Sequence, residues 1–426
     1  GGLSMVEMKS GYKMTEVGVI PEDWEVCELR NHLVLLTDYD ANGSFADMAS
    51  NVVTTTGNGY AWYVRATDLE QQSSLSEVKY VDEKSYRFLR KSTLYGGEVL
   101  LAKRGEIGKV YYFQMKTKRA TLAPNLYLLK LKDTINSYFL FSLFKSTFGQ
   151  NLLKSINAST SLGAIYKDDV KGLNILIPPF EEQASIATAL SDVDSLISAL
   201  TKKIEKKKAI KQGLMQQLLT GKKRLPGFCG DWIKKNVSSV SDIFRGGSPR
   251  PIENYIVKSG GVNWIKIGDV DSSAKYIFRT NEQIIESGIQ YSRFVHSGDL
   301  LLSNSMSFGR PYILKTEGCI HDGWLVIQNY DKYFDKEFLY YLLGSDEVLK
   351  QYKSLAAGSS VLNLNKDIVG KVVLYFPPSI SEQTAIANIL SDCDSEIVAL
   401  EEKRDKYKEI KQGMMQQLLT GKIRLI

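Results

Sequence analysis

The sequence predicts an α+β protein with two mixed α/β globules and two long α-helices that pair antiparallel as an intramolecular coiled coil. Three observations predict this fold: an internal repeat, two segments with heptad spacing, and short apolar runs separated by turns. Comparing residues 181–222 with 381–422 gives 27 identities in 42 positions, far more than chance would give. The chain is therefore a duplication with a pseudo-two-fold internal repeat.

The repeat extends beyond these helical segments, called the arms here. Trp24 and Trp232 open the two halves, and GEVLLAKRGEIGK from Gly97 matches GDLLLSNSMSFGR from Gly298. We therefore predict four segments: a first globule at 5–179, a first arm at 180–222, a second globule at 223–378 and a second arm at 379–426.

The arms carry apolar side chains at alternating spacings of four and three residues, which is the seam of a coiled coil. The predicted seam consists of Ile186, Leu190, Val193, Ile197, Leu200, Ile204, Ile386, Leu390, Cys393, Ile397 and Leu400. Pro-Pro pairs precede the arms, and Gly221 and Gly421 follow them as C-cap glycines. Because the first arm ends where the second globule begins, pairing within the chain must be antiparallel. Pairing between two chains is the alternative.

Two further features of the arms bear on how the helices begin and pair. Ser379 with Glu382 forms a capping-box pattern at the second arm. Several polar side chains fall on seam positions, where they weaken a helix pair but fix its register and orientation. These residues are Lys207, Lys211, Arg404, Tyr407 and Lys411.

The globules alternate short apolar or aromatic runs with Gly, Ser, Asn and Asp turns, which is typical of strands in a mixed sheet. We predict helices at 137–154 and 335–353, at matching places in the two halves. Residues 33–59 have no sequence counterpart to IFRGGSPRPIENY from Ile243. Two dissimilar globules on nearly identical arms suggest one spacing device that carries two different readers.

Composition limits the classes of function. The formal net charge of +6 permits a polyanionic partner such as nucleic acid without requiring one. The chain has no apolar stretch long enough to span a bilayer, and we expect a soluble protein. Its cysteines are far apart and form no CxxC pair, which fits a reducing cytoplasm.

Sequence motifs for catalysis are missing. The chain has no GxxxxGK[ST], no GxGxxG after a strand and no HExxH. His32, His296 and His321 are scattered, and we interpret them as ordinary surface or core histidines. Pro178-Pro179-Phe180 lacks the preceding Asn or Asp of an amino-methyltransferase loop. We therefore expect no catalytic residues, no metal site and no cofactor bound by this chain.

The order of globule, long helix, globule and long helix resembles the DNA-specificity subunit of type I restriction-modification systems. The resemblance rests on EVGVIPEDWEV near the start, RGGSPRP in the second globule, and arms ending in KQGLMQQLLTGK and KQGMMQQLLTGK. It implies that each globule reads one half of a bipartite, asymmetric site in double-stranded DNA, while the helices set the spacer. It also implies two methyltransferase subunits that supply S-adenosylmethionine, restriction subunits that use ATP and Mg, and a prokaryotic cytoplasm.

Candidate binding residues follow from the chemistry of DNA contacts, which use Lys and Arg for phosphates and Arg, Lys, Asn or Gln for bases. For DNA we predict Arg65, Lys103, Arg104, Lys109, Arg245, Arg250, Lys266, Asn304 and Arg310. For subunit docking we predict Gly213, Gln216, Gln217, Gly413, Gln416 and Gln417. We interpret the lysine run at 202–208 as a solvated helix face, with a DNA patch as the alternative.

Two other functions fit the same sequence. The chain could be a stand-alone DNA-binding or scaffold protein that dimerises through its helices. It could instead be part of a self-sufficient restriction-methylation enzyme, which would bind S-adenosylmethionine itself.

Overall fold

The computed structural model describes residues 10–105, 107–157, 163–271, 274–304, 307–357 and 363–425. Parts of the predicted segments, namely 5–9, 106, 158–162, 272–273, 305–306, 358–362 and 426, lie outside these residues. The chain forms two compact units. The first unit holds the chain up to Thr201 and again from Lys403, and the second holds Lys202 to Glu402. We call the globular part of each unit its head.

The first unit contains thirteen strands, counted over the described residues. They are β1 (Tyr12–Thr15), β2 (Gly18–Pro21), β3 (Glu25–Glu28), β4 (Leu33–Asp38), β5 (Thr54–Thr56), β6 (Ala61–Val64), β7 (Lys79–Val81), β8 (Thr93–Leu94), β9 (Val99–Ala102), β10 (Val110–Tyr112), β11 (Ala120–Leu122), β12 (Leu126–Leu131) and β13 (Asn174–Ile177). Its short helices are α1 (Phe45–Asn51), α2 (Ala66–Glu70), α3 (Glu83–Phe88), α4 (Ser137–Lys145), α5 (Thr147–Ser155) and α6 (Lys167–Lys171), and the long helix α7 (Phe180–Leu218) follows.

The second unit repeats this order with fewer elements. Its strands are β14 (Ile233–Asn236), β15 (Asp242–Arg245), β16 (Ile256–Val257), β17 (Val262–Ile265), β18 (Tyr276–Ile277), β19 (Glu282–Ile284), β20 (Arg293–Val295), β21 (Leu300–Ser303), β22 (Pro311–Leu314), β23 (Gly318–Ile320), β24 (Trp324–Gln328) and β25 (Val373–Phe376). Its helices are α8 (Lys336–Leu343), α9 (Asp346–Ala356), α10 (Lys366–Lys371) and the long α11 (Ile380–Leu418).

Each head contains the same five-stranded sheet. The strand order is β5-β7-β6-β11-β8 in the first head and β16-β19-β17-β23-β20 in the second. The parallel pairs of these two sheets are β6 with β11 and β17 with β23. The other main sheets are β10-β9-β12-β4 and β15-β24-β21-β22-β18. The duplication therefore extends to sheet topology, where the sequence similarity is weak.

Strand register corrects one expectation from the sequence. In the first head, Tyr127 of β12 pairs with Asp38 at the end of β4 on one side and with Leu101 of β9 on the other. In the second head, Leu325 of β24 pairs with Arg245 at the end of β15 and with Leu302 of β21. Leu302 matches Leu101 in the sequence repeat, so Arg245 and Asp38 occupy equivalent positions. β4, which opens residues 33–59, therefore does have a counterpart in the second head, namely β15. Sequence comparison missed it because main-chain hydrogen bonds, which do not depend on side-chain identity, define the equivalence.

The predicted helices at 137–154 and 335–353 are each two helices. Ser146 interrupts the first, because its side chain caps α5 by accepting a hydrogen bond from the Gly149 N–H at 3.1 Å. Gly344 and Ser345 interrupt the second in the same way, and Ser345 caps α9. Serine favours N-cap positions because its hydroxyl satisfies a free backbone N–H.

The two long helices each contain 39 residues. Gly221 and Gly421 follow them in left-handed backbone conformations, with φ of +68° and +70°, which glycine adopts without steric cost. At the start of α11, Ser379 Oγ accepts a hydrogen bond from the Glu382 N–H at 3.4 Å, which is one of the two bonds of the predicted capping box. The Glu382 carboxylate binds Arg224.

In each unit, the start of one long helix and the end of the other pack into the same core. Ile186 and Leu190 lie with Leu418 and Leu419 in the first unit. Ile386 and Leu390 lie with Leu218 and Leu219 in the second. This opposed direction confirms the antiparallel pair. Of the other predicted seam residues, Leu200, Ile204 and Ile397 are buried, and Val193, Ile197, Cys393 and Leu400 are half-buried.

A polar contact joins both long helices to the head in each unit. In the first unit, the Tyr138 hydroxyl donates to Asp194 at 2.6 Å, and the Lys411 ammonium donates to the same carboxylate at 2.7 Å. The second unit repeats the arrangement with Tyr341, Asp394 and Lys211. Burial and the hydrogen bond to Asp394 raise the pKa of Tyr341, so its hydroxyl stays protonated and donates. We call each set a Tyr-Asp-Lys triad.

Removing the carboxylate of a triad is expected to loosen the helix pair in that unit. Asp394→Ala leaves the buried Tyr341 hydroxyl and the Lys211 ammonium without their acceptor, which we expect to cost about 1–3 kcal/mol. Chemical denaturation of the purified chain measures this loss. Asp405→Ala on the exposed face of α11 is the matched control. Equal stability of the two variants would contradict a structural role for the triad.

Candidate nucleic-acid interface

The strands of the second head bring three predicted DNA-binding residues together around Asp322. Asn304 Nδ2 and Arg245 Nε donate to the main-chain carbonyl of Asp322, at 2.8 and 3.1 Å. The Arg250 guanidinium lies 3.7 Å from the Asp322 carboxylate. Asp322 lies in the loop that follows β23, which is distant in sequence from Asn304, Arg245 and Arg250. Asp322 was not predicted, and we found no sequence signal that would have indicated it.

Residues 248–251 of the RGGSPRP loop and Asp322 line a cavity of about 650 Å³. Trp264 and the predicted Lys266 line the same cavity, and the Lys266 ammonium pairs with Glu282 at 2.7 Å. His321, which the sequence analysis interpreted as an ordinary histidine, also lines the cavity. The structure thus gathers arginine, lysine, histidine and carboxylate side chains around one open depression.

Hydrogen bonds fix the protonation state of His321. Burial lowers the pKa of the ring, outweighing the neighbouring Asp322 carboxylate. The ring Nδ1 accepts from the Gly323 N–H at 2.8 Å, and Nε2 lies 3.0 Å from Asp322 Oδ1. The neutral ring therefore carries its proton on Nε2 and donates it to Asp322, which orients that carboxylate.

Arg293 is a basic residue that the sequence analysis missed. Its guanidinium lies 4.5 Å from the centre of the Phe244 ring, and its Nε donates to the Arg245 carbonyl at 3.2 Å. Arg245, Arg293 and Lys366 line a second cavity of about 420 Å³. These residues come from β15, β20 and the start of α10, so pairing of distant strands assembles this basic surface.

Arg310 lies apart from the Asp322 cluster. It lines a cavity of about 450 Å³ with Lys211 and Tyr340, and its guanidinium lies 5.8 Å from the Tyr312 ring. Its Nε is buried and has no hydrogen-bond partner among the described residues. A role for Arg310 in DNA binding stays a prediction.

The first head handles its predicted basic residues differently. Lys103 is only 7% exposed, and its ammonium lies 3.0 Å from Asp38 and 2.5 Å from Asp40. Lys167 donates to the other oxygen of Asp38 at 2.8 Å. Burial acts to raise the pKa of Asp38, but the bonds from Lys167 and Lys103 outweigh it and hold the pKa below its usual value. Lys103 is therefore held in an internal ion pair and is not exposed on the surface of the head.

Asp38 and Arg245 occupy equivalent positions, yet they carry opposite charges. Asp38 binds Lys167 in the first head, whereas the repeat-matched Lys366 lies beside Arg245 in the second. The same scaffold position is therefore an internal ion pair in one head and an exposed cation in the other. The two heads therefore differ in charge at this equivalent position.

The remaining predicted cations of the first head are partly paired. The Arg65 guanidinium binds the buried Asp68 through two bonds, of 3.0 and 2.5 Å. The Lys109 ammonium lies 2.9 Å from Glu70, and Arg104 is exposed. Arg65 and Lys266 occupy equivalent positions in the two heads. Each follows the central strand of its five-stranded sheet, and its backbone N–H donates to the carboxylate of an aspartate three residues later.

The predicted docking residues lie near the ends of the long helices. Gln216, Gln217, Gly413 and Gln416 are exposed, while Gly213 and Gln417 are half-buried. A Cβ atom added at Gly213 or Gly413 would meet no atom within 4 Å. Packing within this chain therefore does not require glycine at these two positions.

No other chemistry is evident in the described residues. They contain no group of three or more His, Cys, Asp or Glu side chains that could hold a metal ion. Among their helices, none is long and apolar enough to cross a bilayer.

The fold defines a class of duplicated proteins in which each unit combines one α+β head with the ends of two antiparallel helices, and the loops of the second head carry a basic cluster. The family model for the type I restriction modification DNA specificity domain matches the chain twice, at residues 21–212 and 230–412. The chain belongs to this family, as the sequence resemblance predicted.

Relatives agree with this assignment, and a solved structure shares the fold. A putative type I restriction enzyme MjaX specificity subunit from Methanocaldococcus jannaschii is 28% identical, over 98% of this chain and 97% of the relative. The MjaVIII specificity subunit of the same organism is 25% identical, over 95% and 94%. The fold also resembles the S subunit of a type I restriction-modification system from M. genitalium, with a TM-score of 0.59, 13% identity, and coverage of 93% of this chain and 96% of that one.

Proposed function

We propose that this chain is the specificity subunit of a type I restriction-modification complex and binds a bipartite, asymmetric site in double-stranded DNA. Each head reads one half-site. The observation that carries this proposal is the opposite charge at one equivalent position, Asp38 and Arg245, within two heads of the same topology. A duplicated scaffold with different reading surfaces suits an asymmetric site.

The chain is proposed to act without catalysis of its own. Methyl transfer to adenine requires S-adenosylmethionine, which two methyltransferase subunits docked on the helix ends would supply. Restriction subunits would add ATP- and Mg-dependent cleavage. The exposed glutamines Gln216, Gln217 and Gln416 and the unobstructed Gly213 and Gly413 support docking at the helix ends. Close backbone approach of a partner helix would offset the roughly 1 kcal/mol that glycine costs within a helix.

Methylation mapping tests this proposal directly. The chain is expressed with a type I methyltransferase subunit in a host that lacks adenine methylation, and modified adenines are located by long-read sequencing. We expect one motif with two specified halves and a fixed gap, and one methylated adenine in each half. Binding of labelled S-adenosylmethionine to the chain alone would favour a self-sufficient enzyme. Dimers in light scattering that bind DNA without a methyltransferase subunit would favour a stand-alone DNA-binding protein.

The paired helices are proposed to set the gap between half-sites. Deleting residues 199–205 and 400–406 removes one heptad from each helix and keeps the seam in phase. Each helix shortens by about 10 Å at 1.5 Å per residue, so we expect a gap shorter by about three base pairs with both half-sites unchanged. Methylation mapping measures the gap. Inserting one heptad at the same place is the control and should lengthen it, whereas an unchanged gap in both variants would refute this role.

A further inference from the structure

The loop that follows β4 in the first head and β15 in the second is the same loop in two chemical forms. The equivalence of Asp38 and Arg245 fixes its starting point in each head. The loop runs over residues 39–53 in the first head, where it includes α1, and over residues 246–255 in the second. Each form exposes one large side chain almost completely: Phe45, which is 92% exposed, and Arg250, whose side chain is 81% exposed.

The second-head loop is held firmly while Arg250 projects from it. The Gly246 N–H donates to the Trp324 carbonyl at 2.9 Å, and the Gly247 N–H donates to the Ile320 carbonyl at 3.1 Å. A Cβ at Gly246 would lie 2.2 Å from the His321 carbonyl oxygen, so only glycine permits this approach. Ser248 Oγ donates to Asp322 at 2.9 Å. The loop is therefore preorganised, which reduces the entropy that binding would cost.

Prolines on both sides restrict the backbone at Arg250. Pro249 is buried, and Pro251 begins the turn that leads to β16. The nearest acid, Asp322, is 3.7 Å from the guanidinium, which is beyond hydrogen-bonding distance. Asp322 can orient the guanidinium electrostatically without occupying its N–H donors. A planar fork of free donors matches the O6 and N7 acceptors of guanine in the major groove.

The first-head loop is anchored as well, but it presents a phenyl ring. Asn42 accepts from the Lys91 N–H at 2.9 Å and donates to Ser92 Oγ at 2.8 Å. Ser44 and Asp47 form a capping box around the start of α1, where Phe45 is the first residue. A phenyl ring has no donor or acceptor group that could form a hydrogen bond to a base edge. In the major groove, its natural contact is the C5-methyl group of thymine.

We propose that this loop is a specificity-determining element in both heads, where Arg250 reads a guanine of one half-site and Phe45 contacts a thymine methyl of the other. This inference rests on the proposed function. It assigns different half-sites to the two residues, so substitutions in one head must leave the other half-site intact.

The test uses the methyltransferase complex that contains the full chain, with its site first defined by methylation mapping. Arg250→Ala should reduce methylation of the cognate site by about 5- to 150-fold and relax one guanine position in one half-site. Arg250→Lys keeps the charge without the fork and should not restore the guanine preference. Phe45→Ala should relax one thymine position in the other half-site only. Both residues are exposed, so thermal unfolding of these variants should match the wild type.

Modified oligonucleotides provide a second readout. Replacing that guanine with 7-deazaguanine removes N7 and should weaken wild-type binding while having little effect on Arg250→Ala. Replacing that thymine with deoxyuridine removes the methyl group and should weaken the wild type but not Phe45→Ala. If Arg250→Ala weakens all sequences equally and Arg250→Lys restores binding, Arg250 contacts phosphate only and the proposal is wrong. If the wild-type complex methylates no bipartite site, the proposed function itself fails.

Discussion

Arg424→Ala is expected to destabilise the first unit by about 3–5 kcal/mol, because it leaves a buried carboxylate without its cation. The Arg424 guanidinium binds Glu182 at 2.8 Å through both Nε and Nη2, and Nη2 also binds Asp23 at 2.7 Å. Glu182 is 2% exposed, and its remaining contacts include the indole N–H of Trp24 at 3.0 Å. The substitution thus removes the main compensation for a charge that cannot reach water.

The second unit contains the matched pair for this experiment. Arg224 binds Glu382 at 2.6 Å through Nε and at 2.8 Å through Nη2, and Glu382 is 1% exposed. Arg224→Ala should therefore destabilise the second unit by a similar amount. Hydrogen exchange with mass spectrometry measures each unit separately, which matters because a chain with two units need not unfold in one step.

Two further variants separate a buried charge from lost packing. Glu182→Gln combined with Arg424→Met removes both charges and should recover most of the stability lost in Arg424→Ala. Lys350→Ala breaks an exposed pair with Glu347 and should change stability by less than about 0.5 kcal/mol. The Arg424–Glu182 ion pair would be unimportant for stability if Arg424→Ala resembled Lys350→Ala.

Lys103→Met is expected to cost the first unit about 2–4 kcal/mol, although the sequence pointed to this lysine as a DNA contact. The side chains of Lys103 and Asp38 are 9% and 6% exposed, so removing the ammonium leaves a buried carboxylate with Lys167 as its remaining cation. The retained Lys167 explains why the expected loss is smaller than for Arg424. Arg104→Ala, at the exposed neighbouring residue, is the control and should leave stability unchanged.

The stability that Lys103→Met loses relative to the wild type should become smaller as the pH falls. The pKa of Asp38 in the folded protein lies below its usual value of 3.8, so its ion pairs stabilise the fold fully above that pH. The stabilisation disappears as the pH falls through the folded pKa. Wild type and Lys103→Met should therefore differ most near neutral pH and converge under acidic conditions. A difference that stays constant down to pH 2 would assign the effect to packing.

The sequence alone identified the repeat, the two long helices, their seam and the family. These features are local: apolar residues at 186, 190, 386 and 390 recur at helical spacing, and that spacing fixes the buried face of a helix. Duplication made the signal stronger, because each arm confirmed the other. Chain connectivity then required the pair to be antiparallel, which the shared cores of Leu190 with Leu418 and Leu390 with Leu218 bear out.

Only the tertiary structure decided which charged residues are available for binding. Lys103 and Arg250 look alike in sequence, as cations beside loops rich in glycine or proline. Strand register puts Lys103 against Asp38, where it is buried, and leaves Arg250 projecting beyond Asp322. Whether each cation is buried or exposed depends on a carboxylate at least 60 residues away in sequence. Periodicity within a segment encodes the helices, but the partner of a charge is fixed only when distant strands pair.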